Sequence, residues 1–266
     1  MLTLDLYTAF DCTIRFVAVG VCLSTLELIT IRQQFGTKGV FSVDTVAPFY
    51  GRSNRLVAID RWLSPIFITQ LTAAIALVLS GPFSLMGSMM LLIVLLTLST
   101  IRWRRHTGGD GAEQMTMIVF AASALALFPY PSPERINLVA LFLVAQVSLS
   151  YITAGIAKLI SPVWRNGTAL PAILSTYSHG HAGAASFLQR HPVVVHVASW
   201  GVIVFECLFP LLLFGPPWLL LTTLLLGFAF HLCCAFLMGL NSFLWSFPAL
   251  YPCIIVIVQS YPLSLS

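Results

Sequence analysis

Runs of predominantly apolar residues dominate the chain at about 9–31, 62–81, 83–101, 114–130, 136–160, 195–214, 217–239 and 243–260. Each is close to the 20 or so residues that a helix needs to cross about 30 Å of hydrocarbon. In lipid every backbone N–H and C=O must be satisfied within the protein, and the alternating pattern of a transmembrane β-barrel is missing, so helices are the expected solution. The pattern therefore predicts an all-α, polytopic transmembrane bundle of about eight helices. With no internal repeat and no low-complexity linker, one domain over residues 1–266 is the economical organisation.

The polar positions punctuate this pattern. Ser80-Gly81-Pro82 predicts a tight turn that makes a hairpin of the second and third spans, and Asp60-Arg61-Trp62 an interfacial anchor. The third span stops at Arg102-Trp103-Arg104-Arg105-His106. Asp110 is placed to cap the fourth, with Glu113 three residues on to complete a capping box. The alternative for Asp110, Glu113 and Gln114 is that they line a cavity at the membrane boundary. The stretch from Arg32 to Asp60, with Lys38, Asp44, Phe49-Tyr50-Gly51, Arg52 and Arg55, is long enough to cover a site or to lie on the headgroups.

Composition agrees with the pattern: 58% of residues are hydrophobic and 8% charged, and the mean hydropathy is +0.94. These values predict an integral membrane protein whose first partner is the lipid bilayer. The net charge of +4 is small and no basic run is interleaved with aromatics, so nucleic acid is not an expected partner. Asp5 and Asp11 precede the first apolar run where a signal peptide would be basic, so that run is expected to stay as a span. Most of the six cysteines fall within apolar runs and none forms a CxxC, which predicts small hydrophobes rather than a disulfide framework.

Candidate chemistry lies where charge enters the apolar runs. Lys158 falls in the last turn of the 136–160 span, where a lysine either snorkels to the headgroups or serves a function. Tyr151, Gly155 and Lys158 stand at i, i+4 and i+7, which aligns a phenol, a gap for close approach and an amine on one face. Glu206 and His231 sit within the sixth and seventh spans, and a shared interior would satisfy Lys158, Glu206 and His231 together. Arg15 is an alternative partner for Glu206. His179 and His181 form an HxH, a weak metal candidate because a metal site wants three or four ligands.

Tyr151-Ile-Thr-Ala-Gly155-Ile-Ala-Lys158-Leu159, followed by Trp164 and Gly167, then Phe230-His231 and Asn241-Ser242, resembles the membrane core of the vitamin K-dependent gamma-glutamyl carboxylases. It is similar also to their bacterial relatives, the HTTM proteins, which include the family that matures a sporulation-delaying peptide toxin. The resemblance runs from about Asp11 to Ser242. It implies that Lys158 is the general base that deprotonates a hydroquinone of the vitamin K or menaquinone type, and that His231 and Asn241 line the site. A base at Lys158 in turn makes Tyr151 the group expected to orient the partner and His231 the one expected to shuttle a proton or accept a hydrogen bond, so that Lys158, His231 and Tyr151 are the candidate catalytic residues.

The implied partners are a small precursor peptide and an accessory maturation subunit, and the implied location is a bacterial inner or plasma membrane. Glu113-Gln114 replaces an Asn-His pair of the carboxylases, and no counterpart of their lumenal domain follows the core. Peptide maturation is therefore expected ahead of glutamate carboxylation. A non-catalytic assembly factor and a transporter are the rival classes. The excess of Arg and Lys on one side places that side in the cytoplasm, whereas the resemblance places the Lys158 end outside.

Overall fold

A computed structural model describes residues 4–36, 39–42, 45, 60–105, 109–177 and 180–261. Among them the structure is all helical, and seven helices are long and apolar enough to cross a membrane. These are α1 (Leu6–Thr30), α2 (Leu63–Ser80), α3 (Leu85–Arg105), α5 (Pro133–Ile160), α9 (Pro192–Leu212), α10 (Pro217–Met238) and the broken helix over Asn241–Ser260. The fourth predicted span is α4 (Gly111–Leu127), an apolar helix of 17 residues. Lipid-facing side chains such as Leu79, Leu125 and Phe236 are largely exposed, as helices surrounded by hydrocarbon require. The chain is an integral membrane protein of the polytopic helical class.

One expectation needs adjustment. The last span is not one continuous helix but α11 (Asn241–Ser246), a 3-10 turn over Pro248–Leu250 and α12 (Tyr251–Ser260), with the break where Pro248 removes a backbone donor. The loop after α5 holds three short helices, α6 (Pro162–Arg165), α7 (Ala169–Leu174) and α8 (Ala182–Arg190). The Phe49-Tyr50-Gly51 stretch, Lys38, Asp44, Arg52, Arg55 and His179 lie outside the described residues.

The chain divides into two compact units, Met1–Val139 and Ala140–Ser266. In the first, α1 packs on α2, α2 on α3 and α3 on α4. Small residues at the contacts, Ala18 of α1 and Ala73 and Ala74 of α2, are fully or almost fully buried and let the backbones approach. Arg15 is held by Asp11 at 2.6 Å and by the carbonyls of Val78 and Leu79, where α2 ends at Gly81 in a positive-φ conformation. Its partners are thus Asp11 and the end of α2, and Glu206 is bound elsewhere.

Asp110 caps α4 as expected, accepting from the Glu113 N–H at 2.8 Å. Glu113 turns to Arg105 and, at 3.8 Å, to Arg102. Gln114 is exposed. The basic stop of α3 hides a feature that its sequence does not announce. Arg104 is completely buried, donating from Nε to Asp60 at 2.5 Å and from Nη1 to the Phe41 carbonyl at 2.8 Å, with its guanidinium 5.7 Å from the Phe35 ring centroid.

Candidate functional site

The second unit concentrates its buried polar groups on α5, α9, α10 and α12. Tyr151, Gly155 and Lys158 occupy one face of α5; the tyrosine and glycine are buried and the lysine half-buried. Gly155 is where that face meets α9. A Cβ there would stand 2.7 Å from the Cys207 backbone nitrogen, 2.8 Å from Cys207 Sγ and 3.0 Å from the Glu206 carbonyl carbon. Only glycine allows this approach, and it brings α9 near enough for Glu206 to reach Lys158.

Lys158 Nζ donates to both carboxylate oxygens of Glu206, at 2.9 and 2.6 Å. The lysine side chain is 19% exposed and the glutamate 5%, so the acid is the deeper member. The indole of Trp164 on α6 lies 5.2 Å from Nζ, on the remaining side of the ammonium. Lys158 therefore does not snorkel freely: its amine is clasped by a carboxylate and an aromatic face. Both carboxylate oxygens accept from the amine, which gives a proton a hydrogen-bonded path between the two groups.

Two helical turns away along α5 is a second polar group of a different kind. The Tyr151 hydroxyl and His231 Nε2 are 2.6 Å apart, both side chains being almost fully buried. Tyr151 stacks on Phe209 at 3.9 Å, and His231 stacks on Phe247 at 4.9 Å. Gly227, one turn before His231 on α10, makes room for two phenols. A Cβ at that position would be 2.5 Å from the Tyr251 hydroxyl and 3.4 Å from that of Tyr151. The Tyr251 hydroxyl meets that of Tyr151 at the edge of hydrogen-bonding geometry. His231 Nδ1 is buried without a partner.

The structure thus joins Lys158 to Glu206 and Tyr151 to His231, with Gly155 between the two members on α5. Asn241 is exposed and opens α11. Asp110, Glu113 and Gln114 belong to the first unit, in the roles described above. His181 caps α8, its Nδ1 accepting from the Ala184 N–H at 3.1 Å, which gives that histidine a structural task. Among the described residues no group of three or more His, Cys, Asp or Glu side chains is placed to hold a metal.

Sequence reading missed Tyr251, Gly227 and the phenylalanine cage. Gly227 stands four residues before His231 on the same helical face, a spacing that could have marked a close approach beside the histidine.

Compared with models of protein families, with curated proteins and with solved structures, the chain matches none.

Proposed function

We propose that this integral membrane protein is an enzyme of the HTTM and carboxylase-like kind, which uses Lys158 as a general base on a lipid-soluble hydroquinone in the course of maturing a peptide. The observation that carries the reading is the bidentate Lys158–Glu206 pair. Ionisable groups inside membrane-length helices are expensive and tend to mark function. Here the lysine has a carboxylate that can take its proton, which leaves the neutral amine that a base requires. Trp164 and Gly155 hold the amine and the carboxylate in register.

The residues present fit a flat ring with polar substituents. One buried polar atom, His231 Nδ1, lacks a partner amid aromatic side chains. It would hold one polar group of such a ring, with Tyr151 bonded to Nε2 behind it, and Lys158 would receive a proton from another. A hydroquinone, when bound, would supply acidic hydroxyls and two reducing equivalents, with dioxygen as the co-substrate that accepts them and leaves the quinone. The peptide and the accessory subunit enter through the sequence resemblance, and the bacterial location has the same support.

The test is oxygen uptake by the full chain in nanodiscs given reduced 2-methyl-1,4-naphthoquinone. Lys158→Met and Lys158→Arg should both assemble and both lose about 10²–10⁴-fold in rate, the range for removing a general base. Arginine keeps the charge but does not release its proton. A second reading, helix-to-helix adhesion in a non-catalytic assembly factor, draws on the interlock of Gly155 with the Cys207 backbone. Wild-type uptake no faster than that of empty nanodiscs would favour adhesion and overturn the enzyme, and undiminished uptake in Lys158→Arg would remove Lys158 from the role of base.

A further inference from the structure

The buried polar atoms around Tyr151 form a line that runs from an unpartnered imidazole nitrogen to a second phenol. His231 Nδ1 is one end, the Tyr251 hydroxyl the other, and the Tyr151 hydroxyl lies between, 2.6 Å from His231 Nε2 and beside Tyr251 at Gly227. Leaving a buried donor or acceptor unmet is costly, and apolar surroundings make it more so. None of the three groups is obliged to carry a charge.

Three hydrogens serve this line: one on the imidazole and one on each phenol. They can be arranged in two polarities. In the first, Nε2–H donates to the Tyr151 oxygen, Tyr151 donates towards Tyr251, and Nδ1 is a bare acceptor. In the second, Tyr251 donates towards Tyr151, Tyr151 donates to Nε2, and Nδ1–H is a donor. Passing between them takes one change of imidazole tautomer and two hydroxyl rotations, and both arrangements are neutral.

We propose that His231 Nδ1 is a binding subsite for the polar group of a lipid-soluble ring, and that Tyr151 and Tyr251 make it amphoteric, so that it takes a hydroxyl in one state of the ligand and a carbonyl in the other. A hydroxyl donates to the bare Nδ1 and a carbonyl accepts from Nδ1–H. The stacked faces of Phe243 and Phe247 beside the imidazole suit an aromatic ligand. The ligand class rests on the function proposed above, which it deepens by assigning a second point of attachment away from Lys158. Tyr151 and Tyr251 are positioning residues here, acting on the ligand through His231.

The experiment uses the full chain in nanodiscs, labelled with 15N in the imidazole ring, and 2-methyl-1,4-naphthoquinone in its oxidised and reduced forms. Nitrogen shifts should report an Nδ1–H tautomer of His231 with the quinone and an Nε2–H tautomer with the hydroquinone. Binding of both forms is measured on the wild type, Tyr151→Phe and Tyr251→Phe by quenching of tryptophan fluorescence. Removing the Tyr151 hydroxyl leaves Nε2–H an orphan donor only in the hydroquinone complex. Orphan donors are the less tolerated kind, so the ratio of hydroquinone to quinone affinity should fall about tenfold.

Tyr251→Phe leaves the Tyr151 donor unmet in that same complex, so it should move the ratio the same way by a smaller factor; this variant serves if Tyr151→Phe does not assemble. Binding of both forms with one unchanging tautomer, or with a ratio that neither variant moves, overturns the amphoteric subsite and leaves the Lys158 chemistry standing. Failure of the wild type to bind either form sinks both.

Discussion

The first unit buries a cation–carboxylate pair at Arg104–Asp60 and the second at Lys158–Glu206, and the two are built in opposite senses. Arg104 is the buried member and Asp60 is partly exposed, whereas Glu206 is the buried member and Lys158 the more exposed. Arginine's guanidinium is always charged and its planar fork is engaged on two edges, by the Asp60 carboxylate and the Phe41 carbonyl. Such a pair fixes chain segments and exchanges nothing. In the Lys158–Glu206 pair either member can hold the proton, and the amine is the one nearer the outside. One arrangement suits a structural clamp and the other a site for proton transfer.

This contrast breaks first at the cations themselves. Lys158→Met should lower turnover by about the 10²–10⁴-fold set out above while the protein still assembles, because the buried carboxylate it leaves can take up a proton at some cost in stability. Arg104→Met should do the reverse. Breaking a buried pair typically costs about 3–5 kcal/mol, and the partial exposure of Asp60 places this case towards the lower end. Yield of monodisperse protein and thermal unfolding in detergent check it. Arg104→Lys should fail to restore stability, since a single ammonium does not reproduce the two-edged fork. A full rescue by lysine would mean that Arg104 contributes charge alone and would erase the contrast.

Gly155→Ala is the next largest. The added methyl meets the Cys207 backbone nitrogen, and backbone does not move aside as a side-chain tip would. Overpacking of this kind costs about 1–3 kcal/mol and should separate α5 from α9, weakening the Lys158–Glu206 pair at the same time. Combining it with Cys207→Ala removes the sulfur contact but not the nitrogen one, so rescue should be partial at best. Unfolding temperature and oxygen uptake, measured on the same preparations, should fall together; an unaffected rate would uncouple the helix contact from the site.

Much of this was legible in the chain because the membrane restricts the choices. Apolar runs of span length located the long helices to within a few residues, and the i, i+4, i+7 spacing put Tyr151, Gly155 and Lys158 on one face. The pairing of Lys158 with Glu206 could be suspected from the scarcity of charge, yet Arg15 was as good a partner on sequence grounds. That choice was decided by the close approach at Gly155, a long-range contact with no local signature. Arg104 is indistinguishable in the sequence from the rest of its basic stop, because a run of three arginines and a tryptophan looks the same whether one of them turns inward or not. Tyr251 escapes notice because it stands mid-way along the predicted 243–260 span with no local mark, and only Gly227 on another helix makes room for its hydroxyl beside Tyr151.

The smallest effect comes from the aromatic faces, which both cations have. Lys158 Nζ lies 5.2 Å from the Trp164 ring and the Arg104 guanidinium 5.7 Å from that of Phe35. Each contact is of a kind worth about 0.5–1 kcal/mol where water has access, and more where it is excluded. Trp164→Leu removes the face against which the Lys158 amine rests, so it should loosen the position of the base and lower oxygen uptake by about two- to fivefold, the size of such a contact. Phe35→Leu removes the face from a guanidinium that takes no part in the chemistry, so only packing is lost. Uptake and unfolding temperature, measured on the same preparations, separate the two: the Trp164 variant should lose rate and the Phe35 variant should lose stability. Unchanged uptake in the Trp164 variant would show that its ring packs against Lys158 without positioning the amine, and the two aromatic contacts would then be equivalent.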